Sequence, residues 1–254
     1  MPAYHGKGPQ ILFRDNLRGF LVSSSKKGQN RCARDVADAL VKVLEVDRYY
    51  DTEDTNMEPN DPFAYQSAPL RQLLRDEEAS FRDANKNRNV FRLDTSCREL
   101  FFVGWHRMDS EPAELDPDAL LPLLFEQFKE GTVVSPSTGR IMPVQWTGSS
   151  MWDGVLDVLQ KHAIPTITAS HSSDRIAIVI KSVNCNNWRT GDLYEEAKTM
   201  LPSTVTVVED YHSPDAVLHI HAVGGSVFVA VSQTWADYES WRVARWCRIA
   251  KSEV

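Results

Sequence analysis

Residues 216–232 read AVLHIHAVGGSVFVAVS. The run is apolar enough to raise the question of a membrane span, but His219, His221 and the Gly224-Gly225 pair interrupt it. Apolar and β-branched residues on both sides of a Gly-Gly step are instead a hairpin signal, because the tightest hairpin turns need positive φ at their centre. We therefore read a strand over 216–223, a two-residue turn, and a strand over 226–232.

Working back toward the N-terminus, TVTVVE at 204–209 predicts a strand, Thr190 caps a helix over 190–200, and RIAIVIKSV at 175–183 predicts another strand. A helix over 151–162 carries Trp152, Val155, Leu156 and Leu159 as its buried stripe. Ser150 is its expected cap, Asp153 the capping-box partner and Pro165 the residue that ends it. Beyond the hairpin, a last helix is expected over about 235–250.

The first half is also mixed. Gly19-Phe20-Leu21-Val22-Ser23 predicts a short buried strand. From Arg31 a helix begins, with Val36, Leu40, Val43 and Leu44 at helical spacing. ELFFVGW at 99–105 is a strand. A helix over 115–129 takes Asp116 as its cap and Pro117 in its first turn, with Pro122 a place for a kink or a later start. RIMPVQW at 140–146 is a strand whose Pro143 argues for an edge or a bulge. The order is strand–helix–strand–helix–strand, and the boundary to the second half falls near Thr147–Ser150. Residues 1–18 read as a leader. Within 47–61, Asp47, Asp51, Glu53, Asp54, Glu58 and Asp61 face only Arg48, which predicts a solvated acidic insertion. Segment 62–89 is polar, with a short helix suggested by Leu70, Leu73 and Leu74. The fold class is α+β, two small domains in tandem.

The 254 residues are 42% hydrophobic and 25% charged, an ordinary globular mix that excludes wholesale disorder. Lys and Arg number 28 against 35 Asp and Glu, a formal charge of −7. Nucleic acid would have to be held by a local basic patch, not by bulk charge. Cys32, Cys97, Cys185 and Cys247 lie far apart and form no C-x-x-C pair, which excludes a zinc ribbon and points to a reducing compartment. The opening MPAYHG has neither the charged start nor the apolar core of a signal peptide. Dinucleotide, phosphate-loop, nucleophile-elbow and H-E-x-x-H motifs are all missing. No nucleophile, metal set or cofactor loop argues for an enzyme, and no cofactor is expected.

Three groups of residues carry candidate chemistry. Lys181, Ser182 and Asn184 lie where strand 175–183 runs out, and Trp188 and Arg189 continue the loop to a helix start. Lysine gives point charge, Ser and Asn give hydrogen bonds, a helix end adds donors, and Trp188 could stack on an unpaired base. The same spacing also describes a capped polar loop with a Trp packed beneath it. Lys26, Lys27 and Arg31 form a second cationic set between a strand and a helix, which spacing alone reads as a solvated loop in preference to a site. Arg242, Arg245 and Arg248 recur every third residue of the last helix, beside Trp241. They could track phosphates, pair with Asp237 and Glu239, or flank a core of Trp235, Tyr238 and Trp246. His219 and His221 share one strand face, open to a metal or simply half-exposed, with no third ligand in view.

The ordered set of these segments resembles the THUMP-domain protein family that serves as tRNA adaptor for RNA cytidine acetyltransferase. The resemblance rests on Gly19–Ser23 followed by Arg31-Cys32-Ala33-Arg34-Asp35-Val36-Ala37, on Arg140-Ile141-Met142-Pro143-Val144-Gln145-Trp146-Thr147, on Ile178-Val179-Ile180-Lys181-Ser182-Val183-Asn184, and on the apolar pair 216–232. It spans about 19–235. It implies a ferredoxin-like domain over 19–146, a THUMP domain over 147–235, and a C-terminal helix and tail over 236–254. By resemblance the pair grips the acceptor stem and 3′ end of serine and leucine tRNAs, and does no chemistry itself. It presents the D-arm to the separate acetyltransferase, which forms 4-acetylcytidine. The implied RNA contacts are Lys181, Ser182, Asn184, Trp188, Arg189, Lys26, Lys27, Arg31 and Arg140. Also implied are a chain monomeric when alone, free of membrane, without a catalytic domain after Val254, and nuclear or nucleolar with the cytoplasm as a further place. Val183 stands where the family has arginine, and the hairpin lacks the family's lysine. The rival reading is a protein-interaction subunit of an acetyltransferase or ribosome-assembly complex that binds little RNA.

Overall fold

The computed structural model describes residues 17–25, 28–48, 90–95, 97, 99–105, 115–129, 138–170, 175–209, 214–235, 237 and 241–243. The expectations for 1–16, for Lys26 and Lys27, for most of the acidic 47–61 segment, for 62–89 and for 244–254 lie outside these residues.

The chain is mixed α+β with two sheets. The first is built from β1 (Gly19–Ser24), β2 (Val90–Asp94), β3 (Leu100–Trp105) and β4 (Thr138–Val144) in the order β2-β3-β1-β4. Every neighbouring pair in it is antiparallel. Helix α1 (Gln29–Arg48) follows β1 and helix α2 (Pro117–Lys129) follows β3, so among the described residues the element order is β-α-β-β-α-β. Cys32, Val36, Leu40 and Val43 of α1 are buried at helical spacing, as the apolar stripe requires. The Asp118 amide donates to the Asp116 carboxylate at 2.8 Å, a side-chain cap, and Pro122 sits inside the continuous helix α2. Strand β3 is buried along its whole length, because both faces are covered. Phe101 lies under Arg92, whose guanidinium reaches Asn30 of α1. Phe102 turns to the other face and stacks on Phe228 of the second sheet at 5.9 Å. Strand β2 was not expected from the sequence.

The second sheet runs β5-β9-β8-β6-β7, from β5 (Trp146–Ser149), β6 (Arg175–Val183), β7 (Thr206–Val207), β8 (Ala216–Val223) and β9 (Ser226–Ser232). β6 is parallel to both β7 and β8, while β8–β9 and β9–β5 are antiparallel. The hairpin is as read: Gly224 has φ 58, in the left-handed region that a Cβ disfavours. The strand expected over 204–209 shortens to Thr206–Val207.

Helices α3 (Trp152–Val158) and α4 (Ile164–Ala169) are joined by a π-helical turn, Leu159–Ala163. The helix therefore does not end at Pro165, as expected. Pro165 falls in the first turn of α4, and the wider π turn before it makes room for the ring. Nor does Ser150 cap α3. Met151 is the cap residue, with no side-chain bond, and the Ser150 hydroxyl donates instead to the Gly224 carbonyl at 2.8 Å. Helix α5 (Thr190–Met200) starts one residue earlier than Thr190 as a cap requires, since Arg189 holds the cap position.

The expected strand over 140–146 is broken at Gln145, which turns the chain from one sheet to the other. Gln145 is buried, and its side chain is bonded at both its nitrogen and its oxygen. Its amide donates to the Val229 carbonyl, its side-chain NH2 reaches both Asp116 oxygens at 2.9 Å, and its carbonyl accepts from the Val231 amide at 2.7 Å. Nearby, Asp118 accepts from the hydroxyls of Ser232 and Thr234 and from the Gln233 amide. These bonds join α2 to the end of β9. Among the described residues, no helix is long and apolar enough to cross a membrane.

Candidate nucleic-acid interface

Alternation along β6 and β8 decides what the second sheet shows on each side. Ile176, Ile178, Leu218, Ile220 and Ala222 pack with Val155, Leu159, Leu193 and Ala197 of the helices. The opposite face carries Lys181, His219 and His221, and Lys181 pairs with His221 across the β6–β8 ladder. This face and the edge of the first sheet enclose a groove of about 770 Å³. Ser23, Ser24, Arg140, Lys181, Ser182, His219 and His221 line it, together with Trp235, Trp241 and Arg242.

Arg140 and Arg242 meet as opposed residues of an antiparallel β-bridge. Like charges directly opposite each other destabilise a ladder. Burial and the neighbouring Arg242 both lower the pKa of Arg140. The chain carries −7 overall, yet this groove gathers Arg140, Lys181 and Arg242, with Glu99 the carboxylate that also lines it. Burial above all, then the charges of Lys181 and Arg140, push His221 down to about 4. His219 is held well below its ordinary range by burial first, then by His221, Lys181 and Arg140. Both imidazoles are therefore neutral at pH 7.

The two histidines are buried, not half-exposed as the alternation suggested; indoles close over His219, and the His219 ring packs against His221. His219 meets Trp241 edge to face at 5.2 Å, and Trp235 packs on Trp241 at 4.7 Å. Among the described residues no group of three or more His, Cys, Asp or Glu is placed to hold a metal. Trp241 is fully buried and has φ 61, a strained conformation for a bulky residue. Trp235 and Asp237 lie in turns and Arg242 in a bridge, so the helix expected over 235–250 does not begin at 235.

The sequence-predicted residues separate. Lys181, Ser182 and Arg140 come together on the groove. Ser182 also donates its hydroxyl to the Cys185 carbonyl at 2.9 Å. Asn184 takes the left-handed turn position, φ 53, and leads the chain away. Trp188 is half-buried against the helix-side core, and its indole N–H donates to the Ser150 carbonyl at 2.9 Å. Asn187 binds the same serine, so the loop is pinned to the start of α3. Arg189 is exposed at the start of α5 and Arg31 is exposed in the first turn of α1, and neither lines the groove. Lys26 and Lys27 lie outside the described residues, directly after Ser25 on the groove wall. Cys32, part of the family-like step, is buried against Thr138 at 3.0 Å, and burial pushes its thiol up to about 11, which leaves it unreactive. Sequence reading missed His219, His221, Trp241 and Arg242 as neighbours of Lys181. The shared face of the two histidines was the available signal.

No protein-family model matches the sequence, and no curated protein matches it. The structure is similar to the crystal structure of TrmN from Thermus thermophilus, at 13% identity and TM-score 0.38, over 69% of this chain and 44% of that one. It is also similar to a 4-thiouridine synthetase in complex with RNA and bound ATP, at 9% identity and TM-score 0.38, over 85% of this chain and 41% of that one. The chain thus spans less than half the length of either.

Proposed function

We propose that this chain is a non-catalytic tRNA-binding adaptor that presents tRNA to an RNA cytidine acetyltransferase for 4-acetylcytidine formation in the D-arm. The observation that carries the RNA-binding part is the groove, where a chain of net negative charge concentrates Arg140, Lys181 and Arg242 against serine hydroxyls. Phosphate oxygens are the ligands such donors recognise. The β-α-β-β-α-β order and its sheet supply the ferredoxin-like reading of 19–146, and the family-like segments supply the THUMP reading of 147–235 and the adaptor role. Serine and leucine tRNAs, the acetyltransferase partner and a nuclear or nucleolar site belong to the same proposal.

The test is equilibrium binding of fluorescent tRNA at two salt concentrations, intact and trimmed of its unpaired 3′ nucleotides. Tighter binding of intact tRNA, weakened by Arg140→Ala, supports the reading. Binding weaker than about 100 μM near physiological salt, the non-specific range, combined with tight binding to the acetyltransferase, would make the chain a protein-interaction subunit instead. Product from an acetylation assay with this chain alone would overturn the non-catalytic role.

A further inference from the structure

Seven buried side-chain nitrogen and oxygen atoms among the described residues lack a hydrogen-bond partner, and five of them belong to groove residues. They are Ser24 Oγ, Arg140 Nε, Trp241 Nε1 and both ring nitrogens of His221. Buried polar atoms are nearly always paired, so five in one place point to a ligand rather than to packing. With His221 neutral, four of the five can donate; the fifth, its second ring nitrogen, becomes a donor only when the ring is protonated on both nitrogens. His221 is 6% exposed and lies across the ladder from Lys181.

We propose that the groove is a proton-coupled oxyanion site, in which a tetrahedral anion held by Lys181, Arg140 and Arg242 draws a proton onto His221. The inference rests on the cationic groove of the preceding reading and adds its regulation. In the unliganded groove, burial and the charges of Lys181 and Arg140 oppose the imidazolium. An anion reverses that field, and the protonated ring gains an acceptor for a nitrogen that otherwise has none. The proton comes from solvent, and no covalent bond forms or breaks. By linkage, anion binding tightens as pH falls.

The groups in reach are few. His219 on the same strand is clasped by Trp235 and Trp241. β6 contributes Lys181, β4 Arg140, and the 241–243 segment Arg242. Glu99 and Cys97 line the groove ahead of β3. β9 places Phe228 across from His221 and adds no titrating group there. Glu99 is therefore the residue to control for.

The test uses sulfate, whose own charge stays constant from pH 5 to 7, so any proton taken up belongs to the protein. Titration calorimetry on the full chain, in two buffers of different ionisation enthalpy, reads proton uptake directly. The expected result is sulfate binding about tenfold tighter at pH 5 than at pH 7, the limit being tenfold per pH unit for one proton. His221→Gln should bind sulfate without that dependence, and Glu99→Gln should retain it. An NMR titration of the wild-type imidazoles needs no variant: the His221 pKa must rise when sulfate is added. Sulfate binding without proton uptake overturns the coupling and leaves the RNA reading standing. No sulfate binding, with tRNA still held in an Arg140-dependent way, overturns the oxyanion site alone. Loss of both removes the two readings together. Free phosphate and an RNA phosphate are separated by competition: sulfate should displace a short single-stranded RNA only if both occupy this groove.

Discussion

Strand β8 sends Ala216, Leu218, Ile220 and Ala222 to one side of its sheet and Val217, His219, His221 and Val223 to the other. The first side is entirely apolar, closed by α3, α4 and α5. The second side holds a buried histidine pair, two opposed arginines, five unpartnered polar atoms and a tryptophan at φ 61. The same backbone thus supports a face that stabilises the fold and a face that costs it. Stability given up locally, at residues that converge on one groove, is what the proposed binding role requires.

The comparison can be broken by substitutions on each side. The largest effect belongs to the helix-side face: Leu218→Ala should cost about 2–5 kcal/mol of stability through lost burial and a cavity, read from the denaturation midpoint. If it costs no more than a groove substitution, the contrast between the faces fails.

Acid should act on the groove face. The His221 folded pKa lies near 4 against an ordinary 6.5, so between these values the unfolded chain binds more protons. Stability is then complete above about pH 6.5 and falls as pH drops toward 4, by about 3 kcal/mol for this one residue. His219 shifts in the same direction. Asp118 opposes them, since burial raises its carboxyl pKa and the folded state gains as it protonates. In thermal melts from pH 7 to pH 4.5, His221→Gln should lose stability less steeply than wild type. An unchanged slope would remove His221 as a cause.

Gln145→Ala should cost about 1–3 kcal/mol, because it leaves the buried Val231 amide without its acceptor. Gln145→Glu, which keeps the shape but places a carboxylate against Asp116, should not rescue it. The smallest effect on stability, within about 0.5 kcal/mol, is expected for the exposed Lys181→Ala. Its affinity for tRNA should nevertheless fall by roughly 1 kcal/mol, with a salt slope shallower by about 0.7–0.9. Full tRNA affinity in that variant would take Lys181 out of the interface.

What the sequence disclosed follows the range of the interaction. The hairpin at Gly224-Gly225, the stripe of α1 and the Asp116 cap are local, and each was legible from neighbours a few residues apart. Strand β2 was missed because VFRLD lacks clean alternation, with Val90 and Phe91 adjacent and Arg92 and Asp94 charged, and follows a long polar stretch. β7 was overdrawn because only Thr206 and Val207 find a partner on β6. Ser150 looked like a cap, but the hairpin turn lies close enough to take its hydroxyl. At the groove, Lys181 and Arg140 were named from their segments. Their convergence with the histidines and Arg242 depends on the pairing of β6 with β8 and of residue 140 with residue 242, which no local spacing encodes.

The turn at Gln145 bears on how this chain could be borrowed. Its amide group reaches α2 on one side and β9 on the other, while Phe228 of the second sheet fills a place beside Phe102 of the first. A cut between the sheets would leave a ragged aromatic scar on each piece and the whole groove on neither. Transplanting the second half alone onto another protein would carry over the histidines but not Arg140. The portable unit runs from the first strand through Arg242, and recombination or engineering that respects less than this inherits a surface rather than a site.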